Sequence, residues 1–93
     1  MGLTFEWDRA KAAANLQKHG VSFEEAATIF GDPLSLTVTD ALHSEGEERF
    51  VTVGQARTGK LLVVVHVERG DAIRIIGART ATPKERRTYE SGE

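Results

Sequence analysis

Hydrophobic spacing changes period twice along this chain. Leu3, Phe5 and Trp7 alternate with Thr4 and Glu6, which predicts a short strand over Leu3–Trp7 with one buried face. Asp8 follows as an N-cap, because its carboxylate can accept from the free N–H groups of a first helical turn. The next segment, RAKAAANLQKH, is rich in strong helix formers, with Ala12, Leu16 and His19 at near-helical spacing and Gly20 as a C-terminal stop. Ser22-Phe23-Glu24-Glu25 has the form of a capping box. It opens a second helix with Phe23, Ala26, Ala27 and Phe30 on its apolar side, ended by Gly31-Asp32-Pro33.

From Leu34 the period becomes two. Leu34, Leu36 and Val38 alternate with Ser35, Thr37 and Thr39, and the polar stretch 40–48 reads as a loop. Arg49–Gln55 is the next strand, with a turn at 56–59. Lys60–Glu68 is apolar on both faces and therefore central. Arg69-Gly70-Asp71 turns into a strand over Ala72–Arg79. Thr82-Pro83-Lys84-Glu85 is a second capping box, with proline at the first helical position, and starts a polar helix over Pro83–Glu90. The predicted order is β-α-α-β-β-β-β-α. This is an α+β fold: an antiparallel meander sheet, two N-terminal helices on one face and a short C-terminal helix.

Composition narrows the setting. The 93 residues are expected to form a single domain, 1–93. There are no cysteines, hence no disulfide or thiolate chemistry. No apolar run is long enough for a membrane span and no secretory signal opens the chain, so a cytoplasmic location is expected. The net charge of −2 hides an asymmetry. Residues 1–48 carry three basic and nine acidic groups, a net of −6, and residues 49–93 carry nine basic and five acidic groups, a net of +4. A basic C-terminal half suits a polyanion or an acidic protein partner, although solvated surfaces often look the same.

The candidate chemistry follows from those basic groups. His19, His43 and His66 are far apart in sequence and form no metal-ligand motif, so no metal and no cofactor is expected. No GxSxG elbow or phosphate-cradling glycine loop occurs. Arg49, Arg69, Arg74 and Arg79 fall on or beside three consecutive strands. Arginine holds phosphate through a planar fork and stabilises charge developing on phosphorus. RNA cleavage by its own 2′-OH further needs proton carriers, and His43, His66, Glu47, Glu68 and Tyr89 are the candidates. Plainer roles compete: His66 as a core residue in a valine-rich strand, Arg74 as the partner of a carboxylate. Alternation puts Arg74 and Arg79, five apart, on opposite faces unless a bulge near Gly77 re-aims one. Arg79 is the preferred active-face member. Arg86 and Tyr89, three apart on the last helix, are the pair expected to lean over the sheet.

Three blocks, FEWDRAKAAANLQKHGVSFEEAATIFGDP, HSEGEERFVTVG and IRIIGARTATPKERRTYE, together resemble BrnT-type toxins of type II toxin–antitoxin modules. The resemblance covers nearly the whole chain. It implies a RelE-like ribonuclease fold and a metal-independent endoribonuclease that inhibits translation. It also implies a homodimer within a heterotetramer, neutralised by a BrnA-like ribbon-helix-helix antitoxin that alone contacts operator DNA. On this reading Arg49, Arg69 and Arg79 act on phosphate, and His43, His66, Glu47 or Tyr89 move protons. Lys18, His19, Arg74 and Arg86 contact RNA. Gly77 departs from the resemblance, since serine is frequent there. The competing reading is a non-catalytic module of the same fold that binds the antitoxin and co-represses its operon. A stand-alone DNA binder is disfavoured, because no recognition-helix pattern is visible.

Overall fold

The computed structural model describes residues 2–92. Its elements are β1 (Thr4–Glu6), α1 (Arg9–His19), α2 (Phe23–Ala27), a 3-10 turn (Thr28–Gly31), β2 (Leu36–Thr39), a 3-10 turn (Ala41–His43), β3 (Arg49–Gln55), β4 (Leu61–Arg69), β5 (Ala72–Thr80) and α3 (Pro83–Ser91). The expected order and the α+β class hold. The sheet runs β1-β5-β4-β3-β2. The meander β2 to β5 is antiparallel as expected, but β1 pairs parallel to β5, so the whole sheet is mixed.

The side of the sheet under α2 and the 3-10 turn Thr28–Gly31 is the main core. Leu62, Val64, Ile75 and Ala78 from the sheet pack with Val21, Phe23, Ala26 and Ile29. Phe5 stands against Phe30 and Trp7 edge-on to Phe23, so the N-terminal strand is held by aromatic contacts. Leu3 stays exposed and lies outside the strand. Gly54 lets the helical layer come close, since a Cβ there would lie 3.1 Å from both Ile29 Cβ and Ser35 Cβ.

Two local expectations change. Ser22 caps Glu25 N–H, but the Glu25 carboxylate does not return to the cap and instead accepts from the Thr58 hydroxyl. Leu16 is not a core residue, being 51% exposed. α1 docks instead through Asn15. Its amide donates to Val21 O (3.0 Å) and Ala78 O (2.8 Å), and its Oδ1 accepts from Ala78 N (3.1 Å). β1 covers β5 only from Ala72 to Arg74. Beyond it, Asn15 takes the place of an edge strand and satisfies both backbone groups of Ala78.

Candidate functional site

The second face of the sheet carries the arginines. Residues opposite one another in a ladder share a face. Arg49 stands opposite Val67, Val67 opposite Arg74, and Arg74 opposite Glu6. Asp40 donates its N–H to Arg49 O (2.8 Å), which puts it at the end of the same row. One polar row therefore crosses the sheet: Asp40, Arg49, Val67, Arg74, Glu6. Val67, only 1% exposed, stands between its two arginine neighbours in the row.

The β4–β5 register shifts between Val65 and His66, whose partners are Gly77 and Ile75. Ile76 is the extra residue. This bulge cancels the odd spacing of Arg74 and Arg79, so Arg79, opposite Val63, shares the face of Arg74, opposite Val67. The re-aiming that Gly77 suggested does occur, one residue earlier.

Two groups of polar side chains result. At the end of the sheet near the β4–β5 turn are Arg49, Arg69 and Arg74, with the β2–β3 loop beside them. Arg74 pairs with Glu6 at 2.9 Å and Arg69 with Glu47 at 3.4 Å. Arg49 has no carboxylate within ion-pair distance among the described residues. On the same loop His43 Nδ1 lies 2.9 and 3.1 Å from the two Asp40 carboxylate oxygens. The loop is braced, because Ser44 Oγ donates to Asp40 O and accepts from Arg49 N–H. With Nδ1 held, His43 presents Nε2 outward, and its side chain is 66% exposed.

Arg79 stands about 13 Å along the sheet from the polar row, four residues at ~3.3 Å each. Its two terminal nitrogens bond the two Glu85 oxygens at 2.8 Å each. Glu85 Oε1 also accepts from Thr82 N–H, completing the capping box of α3. The Arg79 hydrogen bonds hold the Glu85 carboxyl at about 2, and the same pair raises Arg79. Between the two groups lies an open cleft of about 340 Å³, floored by Val51, Val63, Val65 and Gly77 and rimmed by His19, Asp40 and Arg79.

Other expected members lie elsewhere. His66 is on the opposite, helix-covered face, so it is not brought to the arginines. Its Nε2 is 2.8 Å from Thr52 Oγ1, and its ring stands edge-on to Phe30 and stacked on Phe50. Burial pushes it down to about 4, and its Nδ1 has no partner among the described residues. Tyr89 does lean over the sheet, but its hydroxyl donates to Asp32 Oδ2 (2.6 Å), which raises the phenol. Asp32 is lowered although burial opposes it, because Gln55 N–H, Tyr89 OH and Leu34 N–H all donate to it. Arg86 does not accompany Tyr89; it is exposed and 4.0 Å from Glu90. Lys18 lies at the exposed end of α1 beside His19. The sequence reading missed Asp40, whose only signal is its i, i+3 spacing from His43, and it gave Asn15 no task. Among the described residues no three His, Asp or Glu side chains gather to hold a metal ion.

The sequence model of a family described as ribonuclease toxin, BrnT, of type II toxin–antitoxin system matches residues 7–85. The chain belongs to the BrnT family. Among solved structures, the Brucella abortus ribonuclease toxin BrnT, known from a crystal structure at 1.1 Å resolution, has a similar fold. The TM-score is 0.66 at 19% identity, over 87% of this chain and 99% of that one. No curated protein sequence matches the chain. The BrnT match takes in the arginines of both groups, the Asp40–His43 pair and the floor of the cleft, begins just after Glu6 and stops at Glu85, the partner of Arg79. No helix among the described residues of this BrnT-family chain is long and apolar enough to cross a membrane.

Proposed function

We infer that this BrnT-family chain is a metal-independent endoribonuclease that cuts RNA through its own 2′-OH at the end of the open face. The carrying observation is the juxtaposition of Arg49 with the Asp40–His43 pair. Asp40 holds the proton on Nδ1 of His43, so Nε2 is free to take the 2′ proton. O2′ then bonds to phosphorus and the P–O5′ bond breaks, leaving a 2′,3′-cyclic phosphate and a 5′ oxygen protonated from water. Arg49, with Arg69 and Arg74 on the same end of the sheet, stabilises the phosphorane charge. Glu47 orients Arg69. His66 and Tyr89 drop out of proton transfer, being held by Thr52 and Asp32.

The reading extends to a cytoplasmic toxin that inhibits translation and is neutralised by a BrnA-like ribbon-helix-helix antitoxin, as a homodimer in a heterotetramer. In this assembly operator DNA is touched only by the antitoxin. Lys18, His19 and Arg86 are exposed side chains available to the RNA.

The test is RNA cleavage by the purified chain in EDTA. Cleavage that falls at least about 100-fold in Arg49→Ala and His43→Ala, with folding unchanged, supports the reading; an inert, folded wild-type protein overturns it. One observation favours a second reading, a non-catalytic antitoxin-binding module. Arg69, Arg74 and Arg79 are each already paired with a carboxylate. Expression without antitoxin separates the two: growth arrest that needs Arg49 supports the enzyme, and harmless expression with tight antitoxin binding supports the module.

A further inference from the structure

Arg79 differs from the other arginines in what it leaves free. Both ends of its fork bond Glu85, and Nη1 also approaches Thr80 O at 3.3 Å. The end-on edge of the fork is occupied and its charge is offset by a carboxylate, whereas Nε has no acceptor among the described residues. Yet the side chain is 42% exposed and lines the cleft. The bidentate pair locks the guanidinium in one plane beside the cleft that it lines. Beside it the floor is apolar, made by Val51, Val63 and Val65. It is also open above Gly77, where an added Cβ would meet only Asn15 Oδ1, at 3.8 Å. A planar cation face, an apolar floor and a space of about 340 Å³ suit a flat aromatic ring better than a phosphate.

We propose that this cleft is a nucleobase site, in which a base of single-stranded RNA stacks on the Arg79 guanidinium over Val63, Val65 and Gly77. Glu85 is its positioning residue, holding the plane. His19, on the rim at the end of α1, offers a ring nitrogen to the edge of the base. The site lies about 13 Å along the sheet from the Arg49 row. An extended strand covers that span in roughly two nucleotides, at about twice the ~3.4 Å rise of a stacked one. The stacked base is therefore near the scissile phosphate without being attached to it. This inference rests on the RNA-binding reading above and names the part of the substrate that the cleft recognises.

The test compares two probes by fluorescence anisotropy: a 2′-O-methylated RNA hexamer, which cannot be cleaved, and an abasic ribose-phosphate chain of the same length. Arg79→Lys keeps the charge and removes the plane. It is expected to weaken hexamer binding about ten-fold, to leave abasic binding unchanged, and to leave the salt dependence of hexamer binding unaltered. Gly77→Leu, which fills the floor and leaves the Arg79 side chain itself unchanged, is expected to do the same. Arg49→Gln should weaken both probes and flatten the salt dependence. If Arg79→Lys binds both probes as the wild type does, or weakens both equally, the base site is overturned while the RNA reading stands. If the wild type binds neither probe, the RNA reading itself falls.

Discussion

Arg74 and Arg79, five positions apart on one strand, lie on the same face of the sheet because Ile76 is an extra residue in β5. They nevertheless do different work. Arg74 reaches across to Glu6 on β1, whereas Arg79 is clamped end-on by Glu85 from the first turn of α3. The second pair ties a cleft residue to a helix cap, and it has a pH signature. Glu85 is held at about 2 against an ordinary 4.5, so its stabilisation is complete above 4.5 and is lost as pH falls toward 2. The pair is partly exposed, so the full shift overstates the effect. Glu85→Gln is expected to cost about 1–2 kcal/mol at pH 7, and the difference from wild type should shrink steadily below pH 4.5 in urea titrations.

His66 gives a slope of the same sign from the opposite chemistry. Burial holds it at about 4 against 6.5, so the folded state keeps it neutral while the unfolded chain binds a proton. Stability is complete above 6.5 and falls between 6.5 and 4, by about 2–3 kcal/mol in all. His66→Gln can keep a hydrogen bond to Thr52 without titrating. Urea titrations of this variant from pH 7 to 4 should lose that part of the slope, and an unchanged slope would assign it to other groups.

Asn15 makes three hydrogen bonds that no water-facing helix residue needs. Asn15→Ala leaves both backbone groups of Ala78 and the Val21 carbonyl without partners. The expected loss is about 2–4 kcal/mol. Hydrogen exchange at Ala78 N–H should accelerate more than exchange in the β3–β4 ladder.

Two glycines make opposite predictions. Gly54→Ala puts a methyl 3.1 Å from two side-chain carbons and 3.2 Å from Ile29 O, at a packed contact. It should destabilise by about 1–3 kcal/mol, read as a lower melting temperature. Gly77→Ser meets only Asn15 Oδ1 at 3.8 Å and should melt within about 0.5 kcal/mol of wild type.

Asp40→Asn keeps the shape beside His43 but can offer an N–H where the carboxylate accepted. The imidazole then favours the proton on Nε2, the wrong nitrogen for a base. RNA cleavage should fall at least about 100-fold with little change in melting temperature. Nitrogen-15 chemical shifts of His43 should report the tautomer change; full activity in this variant would remove Asp40 from the mechanism.

Most of the fold was readable because its signals are local. Asp8, Ser22 and Thr82 cap the helices as expected, since a cap needs only its own first turn. The bounds of α1 and β3 match the sequence reading, because Gly20 ends one and the loop before Arg49 and the turn after Gln55 frame the other. The presence of four arginines on three adjacent strands was likewise fixed by the order of residues. Tertiary structure decided which of them share a face, since one bulged residue at Ile76 inverts the parity that alternation assigns. It also decided that His66 belongs to the core and Asp40 to the open face beside Arg49, because burial and ladder register join residues distant in sequence. No period along the chain records that Asn15 stands in for a missing strand, or that Glu85 occupies the fork of Arg79. Those roles exist only where two elements meet.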